Sequence, residues 1–171
     1  MYSLFYCLFN VDGYPNNNYA RHLGTFNLMK LNKVKYFIKE HPETDEITEL
    51  RYSLRTFNQN MAHITDYSSV LIGFRDEQDN LTAGVYGQIA WNWLYIDLLW
   101  VRADMRGRKL GTRLMNEVEE YARSKGIFRF RLSTSDFQAP EFYKKLDYEV
   151  FGELTDLPPG HTTYFMFKKD H

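Results

Sequence analysis

The chain has one cysteine, Cys7, among 171 residues. That count rules out an internal disulfide, and a lone thiol is the pattern of a reducing, cytoplasmic compartment. No C-x-x-C and no H-E-x-x-H occurs and the five histidines are scattered, so no metal is expected. Excess charge of either sign is missing as well. Lysine and arginine (21) nearly balance aspartate and glutamate (22), for a formal net charge of −1, so no nucleic-acid partner is expected from bulk electrostatics. No apolar run is long enough to cross a membrane. The opening MYSLFYCLFN has neither a basic flank nor a small-residue cleavage site, so neither a membrane nor a secretory signal is expected.

What is present is ordinary globular material with one bias: 44% hydrophobic and 25% charged residues, but 17% aromatic. The length suits one domain with a proper core. Residues 1–32 read as an N-terminal extension and 33–171 as a single domain. In the extension, VDGYPNNNYARHLG carries the Gly, Pro and Asn of a turn. Its Tyr2, Phe5, Tyr6 and Phe9 are candidates for covering an edge strand or making a homodimer contact.

The pattern along the chain alternates between strand and helix periods. Lys33–Glu40 has the period-two pattern of a half-buried strand, and Ile47, Leu50, Leu54, Phe57 and Met61 mark a helix face over 47–61. Residues 69–75 and 81–91 read as a hairpin about the acidic turn 76–80. A hydrophobic strand follows at 94–101, interrupted only by Asp97. Leu110, Leu114, Val118, Tyr121 and Ala122 then space a helix that Gly126 stops. A strand at 128–133 is expected to lie parallel to its predecessor, because the helix supplies the crossover. A short helix near 139–146 and strands near 148–153 and 161–168 complete a mixed α/β fold with a mostly antiparallel sheet.

Between strand and helix lies Arg106-Gly107-Arg108-Lys109-Leu110-Gly111-Thr112. A helix's first turn leaves N–H groups unpaired at the positive end of its dipole, and glycine allows close approach, so this is a candidate anion site. It is neither a Walker loop nor GxGxxG. It resembles the acyl-CoA pyrophosphate loop of the GNAT superfamily of N-acetyltransferases, Gln/Arg-x-x-Gly-x-Gly/Ala, with Arg106 first and Gly111 last. Lys109 stands where that family usually has glycine. Residues 133–148, STSDFQAPEFYKKLDY, resemble its later segment through Ala139, Tyr143, Lys145, Leu146 and Tyr148. There Asp136 replaces a common asparagine and Asp147 a usual glycine.

The resemblance implies a GNAT-type sheet with its parallel pair around the CoA loop, and transfer of an acetyl group from acetyl-CoA to a primary amine by direct attack in a ternary complex. The acceptor would be a small-molecule or peptide amine. An acyl-CoA-binding sensor or interaction module without turnover is the alternative. By position, Leu98, Leu99, Trp100 and Val101 would pair with pantetheine, and residues 106–112, with Asp136, Ala139 and Phe142, would complete the cofactor site. Tyr143 would be the general acid, a phenol near its usual pKa of about 10. Asp97, its pKa raised by burial in an apolar strand, is the first candidate base and Asp136 its competitor. Tyr52, Arg55 and Asn58 on the first helix, and His161 in the loop DLPPGHTTYF, are candidates for touching the acceptor.

Overall fold

The computed structural model describes residues 35–63 and 67–170. Expectations for 1–34, the extension and the homodimer contact included, lie outside the described residues. The chain divides into two compact units, one ending at Asn58 and the other beginning at Gln59. Helix α1 runs Thr44–Ala62, with Asp45 and Glu46 in its first turn, where the helix dipole favours acids. The strand expected at 33–40 is corrected: residues 35–40 carry no strand. Period two is only half of a strand, since the ladder needs a neighbour, and Phe37 breaks the alternation.

Six strands follow: β1 Tyr67–Arg75, β2 Leu81–Ala90, β3 Trp93–Val101, β4 Arg129–Ser135, β5 Glu149–Thr155 and β6 Thr162–Lys169, in the sheet order β1-β2-β3-β4-β6-β5. Among the described residues only β3 and β4 are parallel; the other four pairings are antiparallel. Helix α2, Leu110–Ser124, makes the β3–β4 crossover, and α3, Pro140–Lys144, follows β4. The hairpin turn forms because the Asp76 carboxylate accepts the N–H groups of Gln78 and Asn80, at 3.2 and 2.9 Å, and substitutes for turn backbone.

Helix α2 buries Leu114, Met115, Val118 and Ala122 against Val85, Ile89, Leu94, Ile96, Phe130 and Leu132. The approach is close: a Cβ on Gly87 would stand 2.8 Å from Leu94 and 3.6 Å from Val118. At its end Gly126 takes φ +78°, and the N–H groups of Gly126 and Ile127 return to Arg123 and Ala122. That is the left-handed cap glycine supplies without a Cβ penalty.

One polar residue sits on this apolar face. Glu119, 2% exposed, accepts hydrogen bonds from Tyr148 Oη (2.9 Å), Arg123 Nη2 (2.9 Å) and Lys168 Nζ (2.8 Å). Arg123 Nε also pairs with Asp170 at 2.6 Å. Burial, with the Glu119 carboxylate beside it, pushes the Tyr148 phenol far up. These bonds tie α2 to the start of β5 and the end of β6.

Candidate active site

Strands β3 and β4 pair only through Leu94–Ile96 and Phe130–Leu132. Beyond that β3 stays with β2 and β4 with β6, so the two part and leave an opening in the sheet. The β2–β3 register shifts between Tyr86 and Gly87, which face Leu98 and Ile96, so Asp97 is the extra residue of a bulge. The bulge explains the burial pattern. Leu94 and Ile96 before it, and Leu99 and Val101 after it, all pack toward the core although their spacing breaks period two.

Asp97 is corrected accordingly: it is half-buried, not enclosed, because the bulge takes it out of the ladder. Its carboxylate has no hydrogen-bond or ion-pair partner among the described residues. The main chain divides the cofactor-facing candidates of β3. Arg102 N–H bonds Thr82 O on the β2 side at 2.8 Å, and alternate residues of an antiparallel strand turn their N–H and C=O to opposite sides. The main-chain groups of Leu99 and Val101 therefore face the opening, whereas those of Leu98 and Trp100 turn to β2.

After β3 comes a single 3-10 turn at Ala103–Met105, then the loop. Arg106 Nε donates to Val101 O at 3.1 Å, so this cation pins the loop to the strand end. Gly107 takes φ +75° and Lys109 φ +58°. Helix α2 starts at Leu110 with no side-chain cap and no acid in its first turn, which leaves its first N–H groups open. Phe142 packs at this point: a Cβ on Gly111 would meet its ring at 3.4 Å. The helix start, the end of β3 and α3 are thus brought together, with Leu110, Thr112 and Ala139 half-buried around them.

Tyr143 of α3 is buried, 8% exposed, with its ring edge-on to Phe142 at 5.1 Å and to Tyr148 at 6.1 Å. Among the described residues its hydroxyl has no hydrogen-bond partner. The expectation of an ordinary phenol is corrected: burial pushes Tyr143 up to about 12. Asp136, directly after β4, is turned to the β6 side. Its Oδ2 accepts Thr162 N–H (3.1 Å) and its Oδ1 meets His161 Nδ1 (3.0 Å). Desolvation pushes the Asp136 carboxyl up, but the Thr162 and Phe137 N–H groups and the imidazole outweigh it and hold it below the usual range. Tyr52 and Arg55, with Asn58, lie on α1 in the other unit, and no site is built from them here.

Three contributors carried no sequence signal. Gln138 folds back so that Oε1 accepts Ser135 N–H at 2.8 Å, fixing the end of β4. Arg102 bridges Asp76 (2.8 Å) and Asp104 (2.7 Å) and so holds the hairpin turn to the end of β3. Phe137 sets its ring against His161, centroids 4.8 Å apart.

This splayed parallel pair, with a glycine-containing loop at the start of the crossover helix, has counterparts among known proteins. The model of the Acetyltransferase (GNAT) family matches residues 30–148, and the chain belongs to that family. It is 40% identical over 94 residues to blasticidin-S acetyltransferase of Streptomyces morookaense, covering 54% of this chain and 69% of that protein. The crystal structure of an acetyltransferase from Bacillus cereus is 31% identical, with a TM-score of 0.64 over 78% of this chain and 98% of that one. An acetyltransferase from Bacillus anthracis, solved with acetyl coenzyme A, shares the fold: 16% identity, TM-score 0.54, over 65% of this chain and 68% of that one. The protein is an acyltransferase. Among the described residues no helix is long and apolar enough to cross a membrane.

Both departures from the family's glycines now have a physical reading. Lys109 and Asp147 take φ +58° and +66°, the left-handed region that glycine enters without strain. The backbone shape is kept and the side chain bears the cost. Lys109→Gly is expected to stabilise the fold by about 0.5–1 kcal/mol, the strain relieved less the added chain entropy, and Asp147→Gly by less, since Asp tolerates this region. Urea denaturation of each variant measures it; a Lys109→Gly protein less stable than the parent would contradict the strain reading.

Proposed function

We propose that this acetyltransferase moves the acetyl group of acetyl-CoA onto a primary amine of a small molecule, by direct attack with both substrates bound. The parting of β3 from β4 carries the reading. It leaves the main-chain groups of Leu99 and the N–H of Val101, whose carbonyl Arg106 already holds, able to pair with an extended amide chain, as a further strand would. At the end of that path lie the open N–H groups of α2 with Gly107, Arg108 and Lys109, a suitable cradle for a pyrophosphate. Arg106 shapes the cradle through Val101.

In this reading Asp97 takes one proton from the acceptor's ammonium, and the bare nitrogen attacks the thioester carbonyl. The C–N bond forms and the C–S bond breaks. The departing thiolate takes the Tyr143 proton, and the second proton shed by the new amide nitrogen restores the phenol through water. The raised Tyr143 keeps its proton at neutral pH, and its hydroxyl spends none of its capacity on a structural bond among the described residues. Blasticidin S, for which the Streptomyces relative is named, is the first acceptor to try.

Acetyl-CoA at about a hundred times its Kd is expected to raise the melting temperature by about 5–10 °C, because it binds only the folded state. ATP and desulfo-CoA serve as controls. No shift with acetyl-CoA at millimolar concentration would defeat the proposal.

A further inference from the structure

The end of β4 and the loop before β6 carry a second arrangement that the transfer chemistry above does not use. Asp136 is held by the Thr162 N–H and stays ionised, so its oxygens can only accept. The hydrogen in the 3.0 Å contact between Asp136 Oδ1 and His161 Nδ1 must therefore be on the imidazole. In the neutral ring that leaves Nε2 bare, a hydrogen-bond acceptor of fixed direction. The loop beneath it is braced: Leu157 N–H bonds His161 O, His161 N–H bonds Pro158 O, and Gly160 N–H bonds the Asp156 carboxylate at 2.8 Å. Phe137, 56% exposed, supplies an apolar wall edge-on to the ring. Half of the His161 side chain is open, and Nε2 has no partner among the described residues.

Position gives this dyad its use. Parallel strands end on the same side, so Asp136 at the end of β4 lies at the wide end of the opening, the end toward which Val101 and the CoA loop also run. We propose that His161, its ring fixed by Asp136 and flanked by Phe137, anchors the acceptor by taking at Nε2 a hydrogen bond from an N–H or O–H group other than the amine that is acetylated. The proposal rests on the acetyl-transfer reading and narrows its substrates. The preferred acceptor is a polyfunctional amine with a second donor group beside an apolar or aromatic part, and simple alkylamines are poor substrates. His161 touches the acceptor; Asp136 is a positioning residue that selects the tautomer.

The test is steady-state kinetics of the full chain with acetyl-CoA and blasticidin S or tyramine, combined with long-range proton–nitrogen NMR of the histidines. His161→Ala is expected to raise the acceptor KM at least tenfold, with kcat and the KM for acetyl-CoA within twofold of the parent. His161→Gln, which returns an acceptor oxygen near the Nε2 position, recovers part of the loss. Asp136→Asn raises the acceptor KM severalfold and converts the His161 signal from an Nδ1-protonated ring to a mixture of tautomers. An unchanged acceptor KM in His161→Ala, or an Nε2-protonated ring in the parent, overturns the assignment while acetyl transfer stands. A parent that neither binds acetyl-CoA nor acetylates either amine overturns the acetyl-transfer reading, and this one with it.

Discussion

Tyr143→Phe should lower kcat by about a hundredfold or more, the usual worth of a positioned general acid, while leaving the Kd for acetyl-CoA nearly unchanged. The substitution keeps the ring, so its edge contacts with Phe142 and Tyr148 survive. It removes only a buried hydroxyl that has no partner among the described residues, so the melting temperature at neutral pH should hold or rise slightly. A structural role predicts the reverse, a fall in stability with kcat intact, so measuring both quantities on one preparation separates the two.

The same residue has a pH signature. Folding raises the Tyr143 phenol from its ordinary value to about 12, so the folded state holds that proton more tightly than the unfolded chain does. The associated stability is complete below about pH 10 and is lost as pH rises toward 12, by about 2–3 kcal/mol. Tyr143→Phe should flatten this part of the alkaline decline. Tyr148, raised further, keeps its own share. Urea midpoints at pH 8 and 11 for parent and variant measure the difference, and equal declines would mean that Tyr143 is solvated in solution.

Glu119→Ala should be the most destabilising single change, about 3–5 kcal/mol, because it strips the shared partner from Lys168, Arg123 and the Tyr148 hydroxyl and leaves buried polar groups behind. For a chain of this length that is a fall of roughly 10 °C in melting temperature. The loss comes from orphaned groups and not from missing volume, so adding Lys168→Met to Glu119→Ala should recover part of it. The four proteins form a double-mutant cycle. Strict additivity would show that Glu119 and Lys168 do not share the coupling their 2.8 Å contact implies.

Local chemistry by itself determined a good deal here. The hairpin about 76–80, the helix from Leu110, its stop at Gly126 and the later strands were legible, because periodicity, turn residues and caps act over a few residues. The loop Arg106–Thr112 was legible for the same reason: a glycine-bearing helix start advertises its open N–H groups in a single stretch of chain. The strand expected at 33–40 failed over its described residues 35–40, where local pattern must fail, since a ladder requires a partner that no short window contains.

Only the tertiary structure decided the rest. Whether Asp97 lies within its strand or stands out as a bulge depends on the register of β3 against β2, a sum over the whole pairing. That Asp136 turns to His161, 25 residues away, follows from the β4–β6 pairing that sets Ser135 opposite Thr163. Glu119 left a trace in the sequence, a carboxylate on the same helix face as Met115, Val118 and Ala122. Its meaning needed Tyr148 and Lys168, which lie 29 and 49 residues further along. Lys109 and Asp147 read as departures until the backbone showed φ positive at both, because a residue's name records its side chain, while its dihedral angles are imposed by the elements on either side.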